Sequence, residues 1–313
     1  MNPDLSIAII CGGQSAEAAV SRVSAQGVKA ALGENYSRVA VLELDHRLHH
    51  VLDEVQPDVV FPVLHGPPGE DGTLQGFLEI LGYAYVGSDV HASSNAMNKI
   101  TAKLIFAASD LPLVRQHVVH RRNGVAQAVS EIGDRLGHYV VVKPATQGSA
   151  LGVTPVADAN ALSGAVSGAF EFDDAVLVEE RIDGREITVG VIDTDDGAKA
   201  FPVIEITTPQ DTWYDYEHRY TAGLSEHVMP ADLPAVQTDE LQRIAVAAHE
   251  ALGCRDLSRA DFVVTDSDIY LLEVNTLPGM TPTSLYPDGA GGFGLSFPAL
   301  CSQLVERAAA RRE

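Results

Sequence analysis

Asp261, Glu273 and Asn275 form the most chemically suggestive group in the chain. They belong to two runs, 261–265 and 269–274, that read as the strands of a hairpin across a tight Asp-Ser turn. Antiparallel pairing brings Asp261 and Glu273 together, and Asn275, two residues on, points to the same side as Glu273. Two carboxylates and an amide oxygen are a hard donor set, suited to Mg²⁺ that keeps its other sites for phosphate oxygens. Arg259 alternates onto the face of Asp261 and adds a fixed cation beside the metal. A surface salt bridge at a hairpin is the plainer alternative for this element taken alone.

A second group is built on lysine. The chain has only Lys29, Lys99, Lys103, Lys143 and Lys199, so each is a candidate for a specific task. Lys143 ends a strand-like run, and Gly148, Ser149 and Gly152 follow it in a loop whose backbone N–H groups can cradle phosphate. The lysine precedes the glycines, so this is not a Walker A motif, and such turns are common. Lys99, on the preceding helix, is either a second phosphate cation or a solvated helix charge.

Other candidates stand at strand ends. Glu179, Glu180, Ile182 and Glu186 lie at a junction of two strands, where an exposed edge can read adenine and a carboxylate can accept ribose hydroxyls. A plain charged loop fits equally well. His65 opens a Gly- and Pro-rich loop, 65–72, at the C-terminal end of a strand, where α/β sheets bind ligands; alone, it reads as a packed or capping histidine. Gly12, Gly13 and Glu17 occupy the equivalent end of the first strand without GxGxxG spacing, so a dinucleotide site is not supported. Trp213, Tyr214, Tyr216 and Tyr220 lie in a long unpatterned stretch, 207–233. That stretch is either a lid that excludes water, mobile without ligand, or a loop pinned by an apolar anchor.

The elements that must position these groups alternate along the chain. Strand-like 5–10, 39–44 and 59–64 are interleaved with helix-period 15–32 and 49–55. That order predicts a parallel sheet covered on both faces and a first domain over 1–93. A helix from about Ser93 or Ser94 carries Met97, Ile100, Leu104 and Ile105 on one face and opens a mixed central domain, 94–183. The third domain, 184–313, starts with strands 186–192 and 200–206 and runs through the 207–233 stretch. A helix capped by Thr238 and stopped by Gly253 follows, then the hairpin, then a closing helix with Phe297, Leu300, Leu304 and Ala308. Arg311 and Arg312 suit that helix's C-terminal dipole.

Composition excludes several function classes. With 43 acidic against 21 basic side chains the formal charge is −22, a field that repels a phosphate backbone, so nucleic acid is not an expected partner. Cys11, Cys254 and Cys301 are far apart with no CxxC pair, which argues against a disulfide scaffold or zinc and fits a reducing compartment. The first residues carry no basic region, and 7–10 is too short an apolar run for a signal or a span. A cytoplasmic α/β protein with no membrane partner is expected.

Taken in order, these segments resemble the D-alanine–D-alanine ligase family of ATP-grasp enzymes almost end to end. The most specific are HGPPGEDGTLQG at 65–76, VKPATQGSALG at 142–152, YDYEHRY at 214–220, GCRDLSRAD at 253–261 and LEVNTLPGMTPTSL at 272–285. The resemblance implies an α/β (α+β) ATP-grasp fold of three domains: a Rossmann-like parallel sheet, and two ATP-grasp domains that clamp ATP. It implies a ligase that joins two D-alanines through an acyl phosphate for peptidoglycan precursors, and a homodimer. An ATP-grasp carboxylate–amine ligase with other D-amino acids, or one in secondary metabolism, is the alternative. Asp261, Glu273 and Asn275 are then ligands of two Mg²⁺ ions (or Mn²⁺), and Lys99, Lys143 and Arg219 hold ATP phosphates. Glu179, Glu180 and Ile182 match the adenine segment, and Glu186 the ribose contact. Glu17 matches the acid that holds the first D-alanine's ammonium, in a triad with Ser149 and Tyr220, and His65 borders that substrate. Arg259 and the Gly279 N–H match the transition-state groups, and Ser284 and Leu285 the seat of the second carboxylate. The chain departs from the family pattern soon after Glu17, where Ala18 and Ala19 stand in place of a usual Arg, and at Ala150 and Arg219, where Ser and Lys are usual.

Overall fold

Residues 2–15, 17–209, 221 and 223–311 are described by the computed structural model of the chain. The first unit contains β1 (Ser6–Cys11), α1 (Ala18–Gly33), β2 (Arg38–Glu43), α2 (Leu48–Val55), β3 (Val59–Pro62), α3 (Thr73–Leu81) and β4 (Ala84–Tyr85). Its strands pair in the order β2-β1-β3-β4, all parallel, as the alternation predicts. Every residue of β1 is buried, because the sheet is covered on both faces. Ile7 and Ile9 face one cluster with Val28 and Leu32 of α1, while Ala8 and Ile10 face Leu52 of α2 and Leu74 and Leu78 of α3.

The helix expected from Ser93 or Ser94 is two helices, α4 (Val90–Met97) and α5 (Lys99–Ala108). Asn98 separates them with extended backbone, and its side chain caps α5 by accepting from the N–H groups of Ile100 and Thr101, each at 3.1 Å. The predicted apolar face of this segment is corrected as well. Leu104 is 65% exposed, whereas Ala102, Lys103 and Phe106 are buried. Ala96, Ala102, Phe106 and Leu111 share a core with Ile187, Ile244 and Phe262, so this segment packs against the third unit rather than the central sheet.

The central sheet is antiparallel, in the order β5 (Gln116–His120), β8 (Ala175–Glu180), β6 (Val140–Pro144), β7 (Thr154–Val156). Its core is closed by α6 (Val125–Arg135) and α7 (Ala159–Phe172). The third unit holds β9 (Arg185–Thr194), β10 (Gly197–Ala200), β11 (Ile204–Thr207), β12 (Glu226–Val228), β13 (Leu257–Val264) and β14 (Ile269–Asn275). These pair as β12-β11-β9-β13-β14, with β10 on β9, all antiparallel. The strand expected at 200–206 is thus split, residues 201–203 lying between β10 and β11.

Three helices complete the described chain: α8 (Ala235–Leu252), α9 (Leu285–Gly292) and α10 (Phe297–Ala310). α8 begins at Ala235 behind Pro234, so Thr238 lies inside it rather than capping it, while Gly253 ends it in the left-handed conformation as expected. α10 returns to the first unit: its Leu300, Leu304 and Val305 join Ile7 and Ile9 in one cluster. Arg311 has a task beyond the helix dipole, since its guanidinium meets the fully buried Asp256 at 2.6 and 2.7 Å. No described helix is long and apolar enough to cross a membrane.

Candidate active site

The central sheet and the sheet of the third unit turn toward a cavity of about 440 Å³. Lys99, Lys143, Ser149, Glu179, Glu180, Ile182, Glu186, Arg259, Asp261, Glu273 and Leu285 all line it. They come from α5, from β6 and its following loop, from β8 and the turn after it, and from β9, β13, β14 and α9. Asn275 lines a smaller adjoining cavity together with Lys99 and Glu273. Arg219 and Tyr220 lie outside the described residues, as do Trp213, Tyr214 and Tyr216 and with them the centre of the expected lid, 210–220.

The hairpin positions the oxygen cluster by register. Asp261 stands opposite Glu273, and Arg259 opposite Asn275. Thr188 of β9 donates its hydroxyl to Asp261 Oδ1 at 2.6 Å. Arg259 forks onto the same carboxylate, Nε to Oδ1 at 2.9 Å and Nη2 to Oδ2 at 2.8 Å, and Asn275 Nδ2 donates to Oδ2 at 3.1 Å. Two parallel bonds fix the guanidinium plane at the cavity wall. Among the described residues no three His, Cys, Asp or Glu side chains gather as a metal cage. Two carboxylates and one amide instead fit a Mg²⁺ ion whose remaining ligands are phosphate and water.

Facing this cluster are the lysines. Lys99 Nζ lies 3.1 Å from Glu273 Oε2 and donates to the carbonyl of Gln147 at 2.6 Å, tying α5 to both the hairpin and the glycine loop. Lys143 donates to Glu179 Oε2. Burial works against its ammonium, but Glu179, with Glu273 and Glu186, outweighs burial and raises its pKa. Glu179 is 1% exposed. Burial alone would push its carboxyl up, yet Lys103 and Lys143 together hold it down at about 2.

A third group gathers at the edge of the parallel sheet. Ser21 in α1 accepts from the Gly12 N–H at 2.8 Å and donates to the Val63 carbonyl at 2.6 Å, holding the loops after β1 and β3 side by side. Glu17, buried at the start of α1, accepts a hydrogen bond from the Ser149 hydroxyl, which brings two members of the expected triad together. Ser149 makes that bond from a left-handed backbone, φ 48°, a conformation uncommon for serine and often found at functional sites. His65 is buried, its Nε2 has no hydrogen-bond partner among the described residues, and burial lowers its pKa. A Cβ at Gly279 would stand 2.7 Å from Ser284 Oγ, so a side chain there would have to displace the Ser284 hydroxyl.

Two participants escaped the sequence reading. Lys103 lies beneath Glu179, with Nζ 2.6 Å from Oε1; the scarcity of lysine, and its place four residues after Lys99, were its only signals. Glu70 accepts the Gly66 N–H at 2.6 Å. Burial and neighbouring Glu17 push its carboxyl up to about 8. Nothing in its sequence position separates it from a turn acid.

Comparison with known proteins points to one family. A family model described as D-ala D-ala ligase C-terminus matches residues 105–306, and one described as D-ala D-ala ligase N-terminus matches 46–88. The D-alanine–D-alanine ligase of Desulforamulus reducens is 40% identical over 309 residues, 97% of this chain and 98% of its own. The crystal structure of D-alanyl-alanine synthetase A from Vibrio cholerae superposes with a TM-score of 0.86 at 30% identity, covering 99% of this chain and 100% of its own. The D-Ala:D-Ser ligase of Enterococcus faecalis superposes with a TM-score of 0.81 at 30% identity, over 97% and 99% of the two chains.

Proposed function

The chain belongs to the D-alanine–D-alanine ligase family, and from that premise we propose how its residues divide the work of an ATP-dependent ligase that joins two D-alanines for the cell wall. The observation that carries the reading is the carboxylate pair Asp261 and Glu273 facing Lys99 and Lys143 in one cavity. A carboxylate is a poor acyl donor at neutral pH. Phosphoryl transfer from ATP turns the first substrate's carboxylate into an acyl phosphate, and the second substrate's amine then displaces phosphate.

Asp261, Glu273 and Asn275 hold Mg²⁺, two ions in our reading, and when bound the metal supplies charge neutralisation at the transferring phosphoryl oxygens. Lys99 and Lys143 hold the phosphates. Glu180 and Ile182 border the adenine, and Glu186 the ribose. Glu17, oriented by Ser149, seats the first substrate's ammonium, with His65 beside it. Arg259, its plane fixed by Asp261, and the Gly279 N–H act where negative charge develops on the reacting carbonyl, the usual seat of the largest catalytic term. Ser284 and Leu285 receive the second substrate's carboxylate. The family resemblance further supports a cytoplasmic homodimer, which sedimentation would test.

Phosphate release with Mg-ATP and D-alanine, repeated with L-alanine, D-serine and D-lactate each by itself and with D-serine beside D-alanine, tests the reading. We expect phosphate and D-alanyl-D-alanine in step with D-alanine alone. Because one structural relative is a D-Ala:D-Ser ligase, the D-serine arm matters most: a mixed dipeptide in preference to D-alanyl-D-alanine would keep the chemistry and replace the acceptor. Silence in every arm would overturn the reading.

A further inference from the structure

Lys103 is 1% exposed and is absent from the lining of the cavity, yet it touches the two strands that equip it. Its Nζ lies 2.6 Å from Glu179 Oε1 in β8 and donates to the Leu271 carbonyl in β14 at 2.8 Å. Glu179 gives its other oxygen to Lys143, which does line the cavity. The three side chains therefore form a line, from a buried cation through a buried anion to a cation at the ligand surface.

We propose that Lys103 is a positioning residue for the nucleotide site: it neutralises Glu179 from behind, so that Lys143 is held in place by Glu179 without being cancelled by it. The inference rests on the ATP reading above and deepens it. The charge count makes the argument. With Lys103 the group sums to +1; without it Lys143 and Glu179 sum to zero, and the cavity loses a positive charge next to where nucleotide phosphates would lie. Taking an ammonium out of water carries a desolvation penalty that an apolar side chain would not incur, and here it is offset by the pairing of Lys103 with Glu179 and the Leu271 carbonyl. A lysine there is explained by its charge rather than by packing.

The second contact extends the role to the metal-binding strand. Lys99 and Lys103 are four residues apart on α5 and so share a face. Their partners on β14, Glu273 and the carbonyl of Leu271, are two residues apart. One helix face thus grips the strand that carries Glu273 and Asn275 and, through Glu179, the lysine of the central sheet.

The test is calorimetric binding of Mg-ATP and of uncharged adenosine to the wild type, to Lys103→Met and to the double variant Lys103→Met/Glu179→Gln. We expect Lys103→Met to weaken ATP by about tenfold or more while adenosine changes by about twofold or less, since only ATP reads the lost charge. The double variant leaves Lys143 uncancelled again, at +1, and should recover most of the ATP affinity. In turnover, the KM for ATP should rise in Lys103→Met while that for D-alanine holds. Wild-type ATP affinity in Lys103→Met would overturn the proposal, as would equal losses for ATP and adenosine, or no recovery in the double variant. If Lys103→Met does not fold, the double variant decides alone: a wild-type ratio of ATP to adenosine affinity supports the proposal, and a ratio about tenfold lower overturns it. A wild type that binds no ATP overturns the ATP reading and this inference together, whereas a binding wild type matched by Lys103→Met overturns only the latter.

Discussion

At the scale of single residues, the site is a set of charges whose ordinary behaviour has been altered by position. Glu70 shows the effect most clearly. Its carboxyl, pushed up to about 8 from an ordinary 4.5 by burial and by Glu17, is protonated in the folded chain over a range where the unfolded chain has released the proton. The folded state then binds more protons, so stability falls as pH rises from about 4.5 to about 8. Glu70→Gln should flatten that fall, and melting temperatures of the two proteins across this range measure it; parallel curves would show that Glu70 does not titrate this way. Glu70 was illegible in the sequence because an acid in a Gly- and Pro-rich loop has solvent as its default surroundings. Lys103 was legible only as one of few lysines, without a role: the helix pattern offered Leu104 to the core, whereas the neighbouring charge took the buried place and left Leu104 65% exposed.

At the scale of elements, the hairpin repays attention because simple alternation does not describe it. The pairing runs Arg259–Asn275, Ala260–Val274, Asp261–Glu273, then steps to Phe262–Leu271, leaving Leu272 as the extra residue of a β-bulge. Without it, Leu271 and Glu273, two residues apart, would share a face. With it, Leu271 and Val274 enter the core while Leu272 and Glu273 line the cavity. Deleting Leu272 would make Leu271 and Glu273 direct neighbours on opposite faces, so in a regular ladder Leu271 stays in the core and Glu273 stays toward the cavity. We expect the deletion variant to keep magnesium-dependent phosphate release at a reduced rate, since the pairing of Asp261 with Glu273 is retained and only the wall supplied by Leu272 is lost. Leu272→Ala keeps the register and should keep turnover; no detectable turnover in the deletion variant, with Leu272→Ala active, would show that the bulge itself aims Glu273. The Asp261–Glu273 pairing was legible because residue types and a short turn nearly force it. The bulge was not, since an extra leucine in an apolar run carries no local signal.

At the scale of the molecule, the units are joined through Asp256, which is fully buried. It accepts the Gly87 N–H at 2.8 Å from just beyond β4 and pairs with Arg311 after α10, while Arg311 also donates to the Tyr85 carbonyl at 2.7 Å. Arg311→Ala should strand a buried carboxylate and cost about 3 kcal/mol or more in urea denaturation, with the KM for ATP unchanged; a small loss would mean Arg307, 3.9 Å away, suffices. The order of units was readable from alternating periods, but the return of α10 to the first sheet was not, because periodicity names a buried face without naming what buries it. That return has a consequence for biosynthesis. The backbone N–H of Asn2 meets the carboxylate of Glu306, 304 residues later, and the face of the first sheet bearing Ile7 and Ile9, which α1 covers in part, is completed only when residues 297–310 have left the ribosome. Strand β1 must wait for α10, and a nascent chain stalled short of it presents a half-covered apolar sheet to chaperones and proteases rather than a partly working enzyme.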